Sequence, residues 1–384
     1  MCRIAMLLDN PFRPDPRVVR EAQTLSASGH QVTIYAWDRD PETKRPLREK
    51  VGEINIIRIP VKTRQQLGIR QFCRFFLFAW HAFWIILREE YDVVHCHDFL
   101  NLPVGVLIKI VKGIPLVYDA HEIYWIMESR KYPSFLLAFL KYSEISLLSW
   151  VDFFITVGRT RVEYYQRYYH KPIYIIGNWY DRRELDRESG EEIRSQLGIP
   201  KDAFLIAYTG TLAPSRASNV LLNVVEQLED DPRIHWVICG NGINRLDFEQ
   251  AASQNPHLHF LGWIEDVTPV LSTSNALIYL LDMSHPYAKY SSPNNLYLSI
   301  AWVLPLIGVA IGEIGEILID EETGILINTM DEDTVCSAIR KLFIRDDLYE
   351  QIVIKLKELQ NIYSWHTASQ RLLNVYELID KKNN

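Results

Sequence analysis

Two histidine-bearing segments in the front half of the chain have side chains suited to proton transfer or sugar recognition. Asp119-Ala120-His121-Glu122 follows a short apolar run. A histidine beside a glutamate can hydrogen-bond sugar hydroxyls or move a proton; the same residues could also simply cap a strand end. His95-Cys96-His97-Asp98 follows the preceding apolar run. His-x-His with an aspartate suggests a metal. Against that, neighbours on an extended segment alternate sides, and no nearby His/Cys cluster completes a ligand set. A cleft or structural role for His97 and Asp98 is the expectation.

Upstream, Asp9-Asn10-Pro11-Phe12-Arg13-Pro14-Asp15-Pro16-Arg17 stands where a dinucleotide-binding domain carries G-x-G-x-x-G. No glycine precedes Gly29, which is the strongest argument in the sequence against hydride transfer with a nicotinamide cofactor. Asp15 is a good N-cap and Pro16 a good first-turn residue. The helix they open could receive an anion, with Arg13 and Arg17 beside it.

The back half is built differently. Tyr208-Thr209-Gly210-Thr211-Leu212-Ala213-Pro214-Ser215-Arg216 is a strand running into a small-residue loop that ends in arginine. Such a loop lets a phosphate reach backbone N–H groups, and Arg216 adds charge-assisted bonds. Cys239-Gly240-Asn241-Gly242 and Leu261-Gly262-Trp263-Ile264 follow the next two strands. Three such loops after successive strands point at one site. Lys289-Tyr290-Ser291-Ser292-Pro293-Asn294-Asn295-Leu296-Tyr297 then opens a helix, with amides and hydroxyls suited to a phosphate or ribose, or to ordinary capping.

These loops need elements to hold them. Arg3–Leu8, Gln31–Ala36, Ile56–Pro60, Val93–His95, Leu116–Asp119, Phe153–Val157 and Ile173–Ile176 read as strands. Helical patterns lie between most of them, the first being Val18–Ser28, stopped by Gly29. Asn178–Asp202 is charged, lacks an apolar strand and reads as a linker with one helix. A second series follows: Leu205–Tyr208, His235–Cys239, His259–Leu261, Ala276–Tyr279, Leu306–Val309 and Ile325–Ile327. Strand–helix alternation implies parallel sheets, hence two successive doubly wound α/β domains with ligands at the carboxyl ends of their strands, in the cleft between the domains.

Composition agrees. At 384 residues with 48% hydrophobic and 23% charged residues, the chain is globular, and a net charge of −7 argues against a nucleic-acid binder. The total hides an asymmetry. Residues 1–190 hold 27 Lys+Arg against 22 Asp+Glu, and residues 191–384 hold 14 against 26. Five scattered cysteines without a C-x-x-C pair argue against a disulfide framework or structural zinc. MCRIAMLLDN lacks the form of a signal peptide, so the cytoplasm is the expected compartment. No apolar window is long enough to span a bilayer. Residues 71–90, QFCRFFLFAWHAFWIILREE, come closest, with Arg64, Arg70, Arg74 and Arg88 in or around them. They read as a helix packed on a sheet or as an interfacial helix on anionic lipid. Residues 133–150 share that ambiguity.

Taken in order, these motifs resemble the glycosyltransferase family 4 type of retaining, nucleotide-sugar-dependent enzymes with the GT-B fold. The resemblance runs from Asp15-Pro16-Arg17-Val18 through the His97 and His121 segments and Tyr208-Thr209-Gly210-Thr211-Leu212. It continues through Pro293-Asn294-Asn295-Leu296-Tyr297, Gly312-Glu313-Ile314-Gly315-Glu316 and Glu322-Thr323-Gly324-Ile325-Leu326 to Tyr363-Ser364-Trp365.

The resemblance implies two Rossmann-like domains facing each other across a cleft. Residues 1–180 bind the acceptor, residues 181–363 bind a nucleoside diphosphate sugar, and a helix over 364–384 crosses back to the first domain. It implies catalysis by Arg216, His121 and Glu122, without a metal or other cofactor. Donor contacts are expected from Thr209, Gly210, Thr211, Gly240, Asn241, Gly242, Gly262, Trp263, Lys289, Ser292, Pro293, Asn294, Asn295 and Leu296. The expected donor is UDP-glucose. The expected acceptor is lipid-linked or a saccharide in envelope or exopolysaccharide synthesis, with peripheral contact to an anionic inner membrane face. The chain departs from the family where two glutamates usually stand, at Tyr290 and Leu298, where a basic residue often stands, at Thr211, and where the donor-loop lysine stands, at Asn295. Lys289, Arg13 or Arg17 could replace the charge. A nucleotide-sugar-binding protein with weak or no catalysis is the alternative.

Overall fold

The computed structural model describes residues 1–12, 15–42, 44–63, 69–181 and 187–383. The chain forms two compact units, Met1–Gly177 with Ala368–Asn384, and Asn178–Thr367.

The first unit carries β1 (Arg3–Leu8), β2 (Gln31–Trp37), β3 (Arg48–Val51), β4 (Ile54–Ile59), β5 (Val93–His97), β6 (Leu116–Ala120), β7 (Phe153–Thr156) and β8 (Ile173–Ile175). Their order in the sheet is β3-β4-β2-β1-β5-β6-β7-β8. All pairs are parallel except β3 with β4. The inner strands are continuous apolar runs, as a sheet covered on both faces requires; Ile4, Ala5, Met6 and Leu7 of β1 are fully buried. Among the described residues of this unit, β3 is the strand that the sequence does not announce. It is the edge strand Arg-Glu-Lys-Val, polar and antiparallel, with no apolar run to announce it.

Asp15 caps the Pro16–Ala27 helix, accepting from the Val18 amide at 3.1 Å, and Gly29 ends it at φ +89°. The linker's helix is Arg187–Leu197.

The second unit contains β9 (Phe204–Thr211), β10 (Ile234–Asn241), β11 (Leu258–Gly262), β12 (Ala276–Tyr279), β13 (Leu306–Val309) and β14 (Ile325–Ile327). Their order is β11-β10-β9-β12-β13-β14, all parallel. In chain order this is 3-2-1-4-5-6, the doubly wound arrangement. Setting β3 aside, the first sheet begins the same way. Ligands of such sheets gather at the carboxyl ends of the strands where the order reverses. Those points lie between β1 and β5 in one unit and between β9 and β12 in the other.

Candidate active site

In the first unit the reversal point is filled with charge. Arg17 stands on the first helix and is nearly buried. Its guanidinium donates to both carboxylate oxygens of Asp119 at 2.9 Å and to the Ile176 carbonyl at 2.6 Å, and lies 3.0 Å from Glu21 Oε1. Arg17 and Glu21 are one helical turn apart, so both face the sheet. Arg17 is therefore not the exposed anion receptor expected from the sequence, because Asp119 and Glu21 already engage it. Arg13 lies outside the described residues.

His95 and His97 sit on the same face of β5, rings stacked at 4.4 Å. Alternation along a strand separates residue i from i+1 but keeps i with i+2, so it brings the two histidines of His-x-His together instead of parting them. Glu21, His95, His97 and Asp119 present ligand-type atoms all within 4.8 Å of one another. Both Glu21 oxygens, His95 Nε2 and His97 Nε2 are buried without a hydrogen-bond partner among the described residues. The donor types suit a metal, but Arg17 already supplies positive charge to both carboxylates, and a dication would be set against it.

His121 is held from three sides. Its backbone N–H donates to Asp98 Oδ1 at 3.0 Å. Its Nε2 lies 3.0 Å from Asp119 Oδ2 and 3.3 Å from His97 Nδ1, and its Nδ1 lies 3.4 Å from Asp98 Oδ2. Asp98 makes these contacts from a left-handed backbone, φ +61°, a strained conformation for a residue with a side chain. Burial alone would depress the imidazole pKa, but Asp98 and Asp119 outweigh it and raise it to about 10. His121 is thus an imidazolium at neutral pH, a fixed cation at a strand's carboxyl end. Burial works against the charge of Asp119 as well, yet Arg17 and then His121 hold it well below the usual carboxylate range. Burial lifts Glu21 to about 7 despite Arg17. Glu122 differs: its carboxylate pairs with buried Arg161 at 2.7 Å.

In the second unit the reversal point is built from backbone and small side chains. β9 and β10 run side by side to their ends, with Gly240 opposite Gly210 and Asn241 opposite Thr211. A Cβ on Gly240 would come within 2.1 Å of the Gly210 carbonyl, and one on Gly242 within 2.2 Å of the Leu212 carbonyl. Only glycine permits that approach. The Leu212 amide donates to Asn241 O, and the Asn244 amide returns to Leu212 O, locking the two loops together. Arg216 follows on a single 3₁₀ turn and donates to the Tyr279 hydroxyl at the end of β12. Its guanidinium also lies 5.5 Å from the Tyr279 ring centroid. Arg216 therefore stands where the strand order reverses.

The remaining expected contacts divide. Gly210, Thr211, Asn241, Gly242, Trp263 and Asn294 reach the surface, Trp263 being 61% exposed. Gly262 is half-buried beside Trp263, and Lys289 is exposed with its ammonium over the Tyr290 ring. Thr209, Gly240 and Pro293 are buried, and Ser292 stands half-buried in the turn before the Asn294–Trp302 helix. Asn295 is buried and uses its amide on Thr209, donating to the carbonyl at 3.0 Å, so it braces β9. Leu296 is fully buried and its N–H goes to Pro293 O, so it packs the core instead of facing a donor.

With this geometry in view, the relatives can be compared. A model of Glycosyltransferase Family 4 matches residues 17–184, and one of Glycosyl transferases group 1 matches residues 203–345. The chain belongs to the family 4 type of glycosyltransferases. An uncharacterized glycosyltransferase of Methanocaldococcus jannaschii is 22% identical over 373 residues, spanning 93% of this chain and 92% of its own. Sucrose-phosphate synthase from Thermosynechococcus elongatus superposes with a TM-score of 0.77 at 17% identity, over 99% of this chain and 100% of that one. Anabaena HepE in complex with UDP-glucose gives a TM-score of 0.72 at 12% identity, over 98% and 100%. The two parallel-sheet α/β units are those of the GT-B fold.

In this glycosyltransferase, three further residues complete these clusters. Glu21 was signalled by its spacing from Arg17, and Tyr279 by its place at a strand end. Tyr376 meets His95 Nδ1 at 2.9 Å from the C-terminal helix, Trp365–Asn383, and carried no local signal.

Proposed function

We propose that this glycosyltransferase moves a hexose, with retention of anomeric configuration, from UDP-glucose to a lipid-linked or saccharide acceptor in envelope or exopolysaccharide synthesis. The observation that carries the reading is Arg216 held beside two interlocked glycine loops where the strand order of the second unit reverses. As the glycosidic bond breaks, negative charge collects on the leaving diphosphate. A fixed guanidinium and backbone N–H groups aimed there lower the barrier without a metal. HepE was solved with UDP-glucose, which supports that donor. Gly210, Thr211, Asn241, Gly242, Ser292 and Asn294 are assigned to the nucleotide and diphosphate, Trp263 to the base and Lys289 to added charge. His121 is assigned to the transferred sugar, as a cation held by Asp98 and Asp119. Glu122, paired with Arg161, positions that segment. The first unit takes the acceptor, and the enzyme works on the cytoplasmic side of the plasma membrane.

A second reading, a nucleotide-sugar-binding protein without turnover, is favoured by one observation. Leu298 and Tyr290 stand where the family resemblance expects glutamates, and both are buried.

UDP release from UDP-glucose, with and without acceptor and with a chelator present, tests the proposal. Acceptor-stimulated release that survives chelation is expected. Calorimetric binding of UDP-glucose with no release on any acceptor would favour the second reading.

A further inference from the structure

The first unit has an apolar groove that the transfer chemistry does not use. Three helices, Ile69–Arg88, Asp98–Lys112 and Ser134–Leu147, border a cavity of about 340 Å³. Its lining is almost wholly hydrocarbon, including Phe75, Trp80, Phe99, Leu107, Phe139 and Leu140. That is the size and character of a small-ligand pocket. Its rim is exposed rather than covered: Trp80 and Phe139 are each 60% exposed and Leu107 is 51% exposed, and Phe135, one helical turn before Phe139, is 77% exposed. An apolar surface left open to this extent marks an interaction site.

The charge around the groove selects the occupant. On the exposed side of the Ile69–Arg88 helix, Arg74 and His81 alternate with Leu77, Trp80 and Trp84, and the helix has no acidic residue; Arg88 at its end turns to a separate polar pocket with Glu89 and Glu90. The Ser134–Leu147 helix adds Lys141, and its one acid, Glu144, is buried. Tyr142 and Trp150 are also exposed. Basic heads among amphipathic aromatic rings match an anionic lipid interface. A second copy docked on the same face by two-fold symmetry would set these cations against each other. No described helix is long and apolar enough to cross a membrane, so the face can dock but not span.

We propose that this groove holds one hydrocarbon chain of an anionic membrane lipid. Trp80, Phe135 and Phe139 enter the interface around that chain, and Arg74 meets the headgroups. The proposal deepens the membrane half of the function proposed above and rests on it, but not on the donor half.

Cys73 offers a direct probe, because it is the exposed cysteine on this helix while the other four are buried. A polarity-sensitive fluorophore on Cys73 of the full chain is titrated with phosphatidylglycerol vesicles and with pure phosphatidylcholine vesicles. Acyl chains brominated along their length serve as quenchers. Expected are a blue shift and tryptophan quenching with the anionic vesicles. Vesicle partitioning should fall at least tenfold in Trp80→Glu and in Phe139→Glu, and Arg74→Glu should remove the preference for anionic lipid. All three side chains are exposed, and circular dichroism melting checks their folding. UDP release from UDP-glucose without vesicles should match wild type in all three, so failure here is distinguishable from failure of the donor reading. Three results overturn the proposal: no binding to anionic vesicles, equal partitioning of wild type and variants, or a dimer in sedimentation that Trp80→Glu dissolves.

Discussion

The two units share a strand order but solve the same topological point with different chemistry. In the first, Met1–Gly177 with Ala368–Asn384, the reversal point is filled by ionisable side chains: buried Arg17, Glu21, Asp119, His95 and His97, and half-buried His121. In the second, Asn178–Thr367, it is lined by glycines, backbone amides and one arginine. The charge balance inverts too. The first unit holds 27 Lys+Arg against 20 Asp+Glu and the second 14 against 28. The unit proposed to bind the dianionic diphosphate is thus the acidic one. Net charge steers encounters, whereas a bound phosphate responds to the few donors aimed at it. A rigid loop with Arg216 serves that purpose inside an acidic unit, and a buried ionic cluster serves a different one: it fixes the orientation and charge of His121.

The comparison can be broken most forcefully at the second unit. Arg216→Ala should lower UDP release from UDP-glucose by roughly 10²–10³-fold while leaving the melting of the first unit unchanged. Wild-type turnover in that variant would remove Arg216 from the diphosphate.

The next effect belongs to the first unit. Glu144 is buried and accepts hydrogen bonds from Tyr118 at 2.7 Å and Tyr165 at 2.6 Å. Burial, against those two bonds, raises its pKa from 4.5 to about 7. A raised carboxyl favours the folded state while protonated. Its contribution is therefore fully present below about pH 4.5 and is lost as pH rises through 7. Asp98, raised to about 6 by burial against His121, acts in the same sense. Glu144→Gln should flatten the fall in stability between pH 5 and pH 8 by about 3 kcal/mol, read by denaturant melts. An unchanged pH slope would show that Glu144 is not the titrating group.

Gly242→Ala, placing a methyl 2.2 Å from the Leu212 carbonyl, should cost the second unit about 1–3 kcal/mol in thermal unfolding. No loss would mean that the loops are not locked as described. The smallest effect is Asp15→Ala, which removes a helix cap and should destabilise the first unit by about 1 kcal/mol without changing UDP release. A loss of activity there would place this helix start in the catalytic machinery.

How far the sequence went follows from the same contrast. The inner strands are apolar on both faces, so runs such as Ile4–Leu8 and Leu205–Tyr208 declared themselves. The loops of the second unit were legible because each site is local: glycines and arginine lie a few residues beyond their strand. The cluster of the first unit was not, since it draws Arg17 and Glu21 from a helix, His95 and His97 from β5, Asp119 from β6 and Tyr376 from the far end of the chain. No spacing within one segment encodes such a meeting. Asn295 and Leu296 show the reverse limit. A loop motif gives the position of a helix start but not which of its side chains turns inward, and these two turned to Thr209 and the core.

The central claim is that the second unit grips the diphosphate through Arg216. Calorimetric titration of UDP into wild type and Arg216→Ala under the same buffer tests it most directly. A charge-assisted bond of the usual strength predicts that affinity falls about tenfold or more in the variant. Equal affinity in the two proteins would contradict it.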